Sequence, residues 1–196
     1  MSPLYVREFQ AAHHDWEGKR LDQGALGPRT QWALDVARLE PWRQEIISRA
    51  CGMVGEAETE GPNRSPVIDS WNRRCGVALG SPYCASFVSW CISVPGLPEV
   101  RNASAQALGR ALRGTTLLLP GDVMWFPTGE ETGHCGIVVG LGAGEVACVE
   151  GNQANAVRLV RREMSKVHFA TPLPIQTFPS VPPGLTLVPV TFEGTR

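Results

Sequence analysis

Gly80-Ser-Pro-Tyr-Cys-Ala-Ser-Phe-Val-Ser-Trp-Cys91 is the stretch on which the reading of the whole chain turns. It begins with turn formers, Gly80, Ser81 and Pro82, and continues as an apolar run in which Phe87, Val88, Trp90 and Cys91 recur at helical intervals. Cys84 stands where the turn becomes the helix. The first turn of a helix offers unpaired backbone N–H groups and the positive end of the dipole, and both stabilise a thiolate. The stretch reads as a nucleophile mounted on a buried helix, or else as a core cysteine, since free cysteines are among the most buried residues.

A nucleophilic thiol needs a base. Of the four histidines, His13 and His14 belong to a small N-terminal unit and His168 lies beyond the strands as a solvent-facing or satisfied ring. His134 follows Gly133 at the head of the apolar strand Gly133-His-Cys-Gly-Ile-Val-Val-Gly-Leu141, where a side chain can reach a neighbouring helix. Gly142-Ala-Gly144 reads as a tight hairpin into Glu145-Val-Ala-Cys-Val-Glu-Gly-Asn152. Pairing Leu141 with Glu145 sets Gly136 opposite Glu150 and His134 opposite Asn152. Because strand side chains alternate, His134, Glu150 and Asn152 then share one face and Cys135 points the other way. The pattern permits a Cys–His–carboxylate or Cys–His–amide site with two candidates for the third member.

The remainder of the chain sets the frame. Its 196 residues can bury a sizeable core, 43% are hydrophobic, and a net charge of −1 without single-sign runs gives no basis for nucleic-acid binding. No apolar run is long enough for a membrane span, and Glu8, His13, His14 and Asp15 occupy the place of a secretory h-region, so synthesis in the cytoplasm is expected. Six cysteines without a C-x-x-C pair suggest reduced thiols, most of them core filler, and no structural zinc. Val6, Phe9 and Gln10 suggest a short first helix, and Pro28 and Thr30 open a second. Trp42 to about Glu58 reads as a long amphipathic helix, followed by helical segments at Val67 to Arg74 and Ser104 to Leu112. Pro120-Gly-Asp122 launches a strand through Phe126, and a further strand is expected at Ala156 to Arg161. Helices first and an antiparallel meander second is the α+β pattern. From Thr171 the chain is Pro-rich and is expected to form an extended, partly mobile surface strap.

Two resemblances sharpen this reading. Glu58-x-x-Gly61-x-Asn63, Pro82-Tyr-Cys-Ala-Ser-Phe-Val-Ser-Trp90, Pro120-Gly-Asp-Val123, Gly133-His-Cys-Gly-Ile-Val138 and Glu150-Gly-Asn-Gln153 resemble, in that order, the CHAP branch of the papain-like NlpC/P60 superfamily of cell-wall hydrolases. The resemblance implies a papain-like fold over residues 41–173, with Cys84 as nucleophile, His134 as base, Glu150 and Asn152 as orienters, and Tyr83, Asn63 and Gln153 at the substrate. Tyr83 stands where the family usually has Trp. Arg73-Arg-Cys-Gly-Val-Ala-Leu79 carries none of the Asp residues that calcium-dependent members place before the nucleophile, so no metal and no cofactor are expected. Within residues 1–40, Val6-Arg-Glu-Phe-Gln10, Asp22-Gln-Gly24, Leu26-Gly-Pro-Arg-Thr30 and Ala33-Leu34 resemble the type 1 peptidoglycan-binding repeat, with Gln23 inserted and the terminal Phe-Gln missing. Residues 174–196 form the remaining extension. Together the resemblances imply a monomeric peptidoglycan amidase or endopeptidase. It would be a phage-type lysin released through a holin pore, or a secreted antibacterial effector. A non-catalytic wall-binding protein and a papain-fold acyltransferase or protease are the competing classes.

Overall fold

The computed structural model describes residues 3–24, 26–115 and 117–173, and the Pro-rich extension at 174–196 lies outside them. Among these described residues six helices, α1 (Pro3–Ala12), α2 (Pro28–Val36), α3 (Pro41–Gly52), α4 (Pro66–Arg74), α5 (Cys84–Ile92) and α6 (Ala105–Ala111), precede or flank six strands. The strands are β1 (Arg113–Gly114), β2 (Val123–Pro127), β3 (Gly133–Leu141), β4 (Glu145–Glu150), β5 (Arg158–Glu163) and β6 (His168–Thr171). The architecture is α+β, in keeping with a papain-like fold.

Local chemistry explains the helix starts. Proline opens α2, α3 and α4, where its missing N–H costs nothing. The Ser65 hydroxyl accepts from the Ile68 N–H at 3.1 Å, and the Ser104 hydroxyl from the Ala107 N–H at 3.3 Å, capping α4 and α6. Helix α3 is shorter than its apolar periodicity suggests: it stops at Gly52 instead of running to Glu58. Glycine weakens the helix there, Gly55 adopts φ +95°, and the chain turns to pair with the 155–157 segment. Gly55 N donates to Val157 O, Val157 N to Glu56 O, and Glu58 N to Asn155 O.

The strands form one antiparallel sheet in the order β1-β6-β2-β3-β4-β5. The meander from β2 to β5 follows the expected order, but β5 begins at Arg158, and Ala156 makes only an isolated bridge to Ala57. Thr171, expected to begin the strap, closes β6 instead by pairing with Arg113 of β1, while the rest of β6 pairs with β2 on the side away from β3. His168 is exposed on β6, with its ring centroid 4.6 Å from that of Trp125.

Alternation along the strands divides the core. Val123, Cys135, Ile137, Val139 and Val149 join the helices in one large cluster, while Met124, Val138, Val146 and Cys148 form a smaller one with Phe126, Met164 and Phe169. Trp16, Leu21, Trp32 and Leu39, from the first forty residues, belong to the large cluster together with Ile46, Ile47 and Ile137. The Trp32 indole N–H donates to the Val139 carbonyl at 2.7 Å, tying α2 directly to β3. A second tie runs from α3. Arg43, with no exposed surface, donates to the Pro120 carbonyl at 2.9 Å and to Asp122 at 2.8 Å, fixing the turn that launches β2.

The β3–β4 hairpin departs from the register its loop length suggests. Leu141 pairs with Val146, not Glu145, and Gly140 with Ala147. A bulge between Val138 and Gly140 then shifts the ladder, so that Val138 meets Cys148 and Ile137 meets Val149. Beyond the bulge, Gly136 lies against Glu150, as expected for a different reason.

Candidate active site

The nucleophile's turn is held by two side-chain amides. Asn63 donates from Nδ2 to the Gly80 carbonyl at 3.0 Å, and Asn72, on α4, donates from Nδ2 to the Ser81 carbonyl at 3.0 Å. Gly80 takes φ +81°, which lets the chain reverse into α5. Cys84 is then the first residue of α5, and no side chain caps that terminus. The first-turn N–H groups stay available, and that of Ala85 bonds the Cys84 sulfur. Behind the nucleophile, Tyr83, Phe87 and Trp90 pack around Trp71 of α4 with ring centroids 6.1, 5.2 and 5.6 Å from it.

The ring of His134, at the head of β3, has its centroid 5.7 Å from that of Phe126. Its Nε2 donates to Glu150 Oε2 at 2.9 Å, which leaves Nδ1 to face the Cys84 thiol. Glu150 ends β4 and has no exposed surface. Burial alone would favour its neutral acid, yet its carboxyl is held below the usual range by hydrogen bonds from Arg162 and His134. His134 is shifted the other way. Burial opposes its charged form, but bonds and charges from Cys84 and Glu150 outweigh that and raise it to about 9. Cys84 lies well below an ordinary thiol. The Cys135 thiol bonds its sulfur, burial works against the charge, and His134 supplies a hydrogen bond and a cation. Both shifts favour a thiolate–imidazolium pair backed by a carboxylate.

The structure thus brings Cys84, His134 and Glu150 together and treats the other expected site residues differently. Strand β4 ends at Glu150, so Asn152 no longer obeys strand alternation. It sits beyond the sheet at φ +58°, and it is Glu150 that accepts the hydrogen bond from His134 Nε2. Tyr83, expected at the substrate, is fully buried, and burial pushes its phenol up to about 12, so its ring supports the nucleophile from behind. Asn63 spends its side-chain amide on Gly80, and its N–H donates to Glu58 at 2.8 Å. Gln153 is half-buried, with Oε1 3.5 Å from Arg162 Nη2.

Two participants escape a reading of the sequence. Cys135 points away from His134 as alternation requires, but that side faces α5, and its thiol reaches Cys84 instead of filling an inert core. Arg162, on β5, grips the Glu150 carboxylate with both ends of its fork. Neither spacing along the chain nor the strand register, which sets Arg158 opposite Glu150, would reveal it.

Gly136 makes room for this arrangement. A Cβ there would lie 2.6 Å from Glu150 Cγ and 2.9 Å from the Val149 carbonyl. Gly136→Ala is expected to push Glu150 off His134 and lower kcat/KM by about tenfold to a hundredfold, since small misplacements of catalytic groups are costly. Hydrolysis rates beside a thermal melt check this, and an unchanged rate would mean that Glu150 needs no such clearance.

Residues 76–152 match the CHAP domain. The matched segment contains Cys84, His134 and Glu150 and stops short of Arg162. The CHAP domain brings a coarse chemical class with it, cysteine- and histidine-dependent hydrolysis of peptidoglycan. No curated protein matches the chain. Among the described residues no group of three or more His, Cys, Asp or Glu side chains could hold a metal ion, and no helix is long and apolar enough to cross a membrane.

Proposed function

We propose that this protein is a peptidoglycan amidase or endopeptidase, with Cys84 as nucleophile, His134 as general base and acid, and Glu150 as the orienter of His134. The observation that carries the reading is the continuous relay from the Cys84 thiol through both ring nitrogens of His134 to the buried Glu150 carboxylate. In this mechanism the Cys84 thiolate attacks an amide carbonyl of the wall. The uncapped N–H groups at the start of α5 stabilise the oxyanion. The His134 imidazolium protonates the departing amine, then as neutral imidazole activates the water that hydrolyses the thioester. Glu150 keeps the proton on Nε2 and stabilises the imidazolium, the part an Asp or Asn plays in other triads.

The wider reading is a monomeric phage-type lysin, made in the cytoplasm and released to the wall by a holin or a secretion system. Residues 1–40 would help the enzyme engage the wall. The motif order of those residues, Asp22 through Thr30 above all, supports that role. Mass spectrometry of digested peptidoglycan tests the reaction. New amino termini with intact muramoyl amides mark an endopeptidase, and free lactyl carboxylates mark an amidase. Release of neither would reject the proposal.

The relay also predicts how activity responds to reagents and pH. Iodoacetamide should abolish hydrolysis and EDTA should not. Activity should rise with pH as the Cys84–His134 pair loses its first proton. It should fall again near pH 9 as the raised His134 loses the second, because the leaving amine then lacks its acid. An enzyme sensitive to chelators and indifferent to alkylation would contradict the thiol mechanism.

A further inference from the structure

The Glu150 carboxylate is completely buried, yet ionised, and it carries more hydrogen bonds than His134 alone provides. Arg162 Nε donates to Oε1 at 2.8 Å and Arg162 Nη2 to Oε2 at 2.6 Å. Oε2 therefore receives both the guanidinium and His134 Nε2. The guanidinium is itself fixed: it lies over the Phe126 ring, 5.1 Å from its centroid, and that ring also touches His134. Bidentate pairing with a planar fork fixes the rotation of a carboxylate as well as its charge.

Resting on the hydrolase reading above, we propose that Arg162 is a positioning residue of the thiol site. It keeps the Glu150 carboxylate ionised and turned so that Oε2 accepts from His134 Nε2. The reason lies in hydrogen-bond direction. A buried carboxyl without its cation favours the neutral acid. A neutral Glu150 can donate its own proton to His134 Nε2. The imidazole proton is then driven onto Nδ1, the nitrogen that must accept from Cys84, and the base is lost. Arg162 closes that route by making the carboxylate an acceptor only.

The titratable groups coupled to Glu150 come from three strands. They are His134 and Cys135 on β3, Arg162 on β5, and Cys148 on its own strand. Arg158, opposite Glu150 in the ladder, turns outward to the carbonyls of Gln153 and Ala154. Among these groups Arg162 is the one fixed cation on the carboxylate.

The test compares wild type, Arg162→Met and Arg162→Lys over a pH series. Two readouts are taken on each: the rate of Cys84 alkylation by iodoacetamide, followed by peptide mass, and the release of peptidoglycan fragments. Thermal melts accompany both. Alkylation needs no wall substrate, so it reports on the thiolate even if the substrate assignment is wrong. In Arg162→Met the acid limb of Cys84 alkylation is expected to move about one pH unit toward neutral. Hydrolysis should fall by about tenfold to a hundredfold, more at pH 6 than at pH 8. Arg162→Lys keeps the charge without the fork and should fall between the two; if the methionine variant does not fold, the lysine variant carries the comparison. Acid limbs that coincide with wild type in the folded variants, or a uniform loss at every pH, would reduce Arg162 to a structural ion pair. A wild type with the expected alkylation limb but no fragment release would overturn the substrate class and leave the alkylation series to decide the role of Arg162.

Discussion

Cys84→Ala should lose essentially all hydrolysis, by about 10⁴-fold or more, while remaining folded. The size of the effect follows from covalent catalysis: without the thiolate no thioester forms, and His134 and Glu150 have nothing to activate. The fold should survive, because the change deletes one sulfur at the first position of α5, where 7% of the residue is still exposed. The first-turn N–H groups are untouched, and a cost of about 1 kcal/mol or less is expected. Cys91→Ala is the matched control. Cys91 is completely buried and burial pushes its thiol well up, so it cannot act as a nucleophile. That variant should lose about 1 kcal/mol of stability and keep its rate. Fragment release and thermal melts on the pair separate chemistry from packing. Hydrolysis by Cys84→Ala at the wild-type rate would remove Cys84 from the mechanism.

What the sequence made legible depended on how local each signal was. The placement of Cys84 needed only the Gly80-Ser-Pro82 turn and the apolar spacing after it, both within one helix length. Helix α5 indeed starts on that residue. The facing of His134 and Glu150 was legible for a subtler reason. A register drawn from the hairpin loop is wrong at Leu141, and the bulge near Val139 restores it before the site is reached. No residue type announces that bulge. The family resemblance sets Tyr83 at the substrate, and the structure buries its ring completely. Trp71, brought in from another helix, decides that the ring is buried. Arg162 was invisible for a related reason. It is one of several arginines near the end of the sheet, and the β4–β5 ladder sets Arg158, not Arg162, opposite Glu150; Arg162 reaches the carboxylate because its side chain runs along the sheet while Arg158 is spent on the Gln153 and Ala154 carbonyls. Local chemistry wrote the nucleophile into the sequence, and tertiary pairing wrote the support around it.

Removal of residues 1–40 should abolish cooperative folding, and with it cleavage of soluble muropeptides as well as intact walls. The repeat-like motifs invite the opposite expectation, a detachable unit whose loss weakens wall binding alone. The packing argues against detachment. Trp16, Leu21, Trp32 and Leu39 are each at most 5% exposed and lie in the same cluster as Ile46, Ile47 and Ile137. Burying one such side chain is worth about 1.5–3 kcal/mol, so four of them approach the roughly 5–15 kcal/mol that holds a whole domain together. Truncation would also expose α3 and strip the Val139 carbonyl of its indole partner. A milder probe isolates that last contact. Trp32→Phe keeps an aromatic ring but leaves the Val139 carbonyl without its donor, at an expected cost of about 1–3 kcal/mol. The melting temperature should drop, while kcat for the folded fraction changes little, because Val139 lies five residues along β3 from His134. If the truncated chain instead melts cooperatively and cleaves soluble muropeptides at the wild-type rate, the first forty residues are a separable wall-binding attachment, and the shared core is less important to the enzyme than its burial implies.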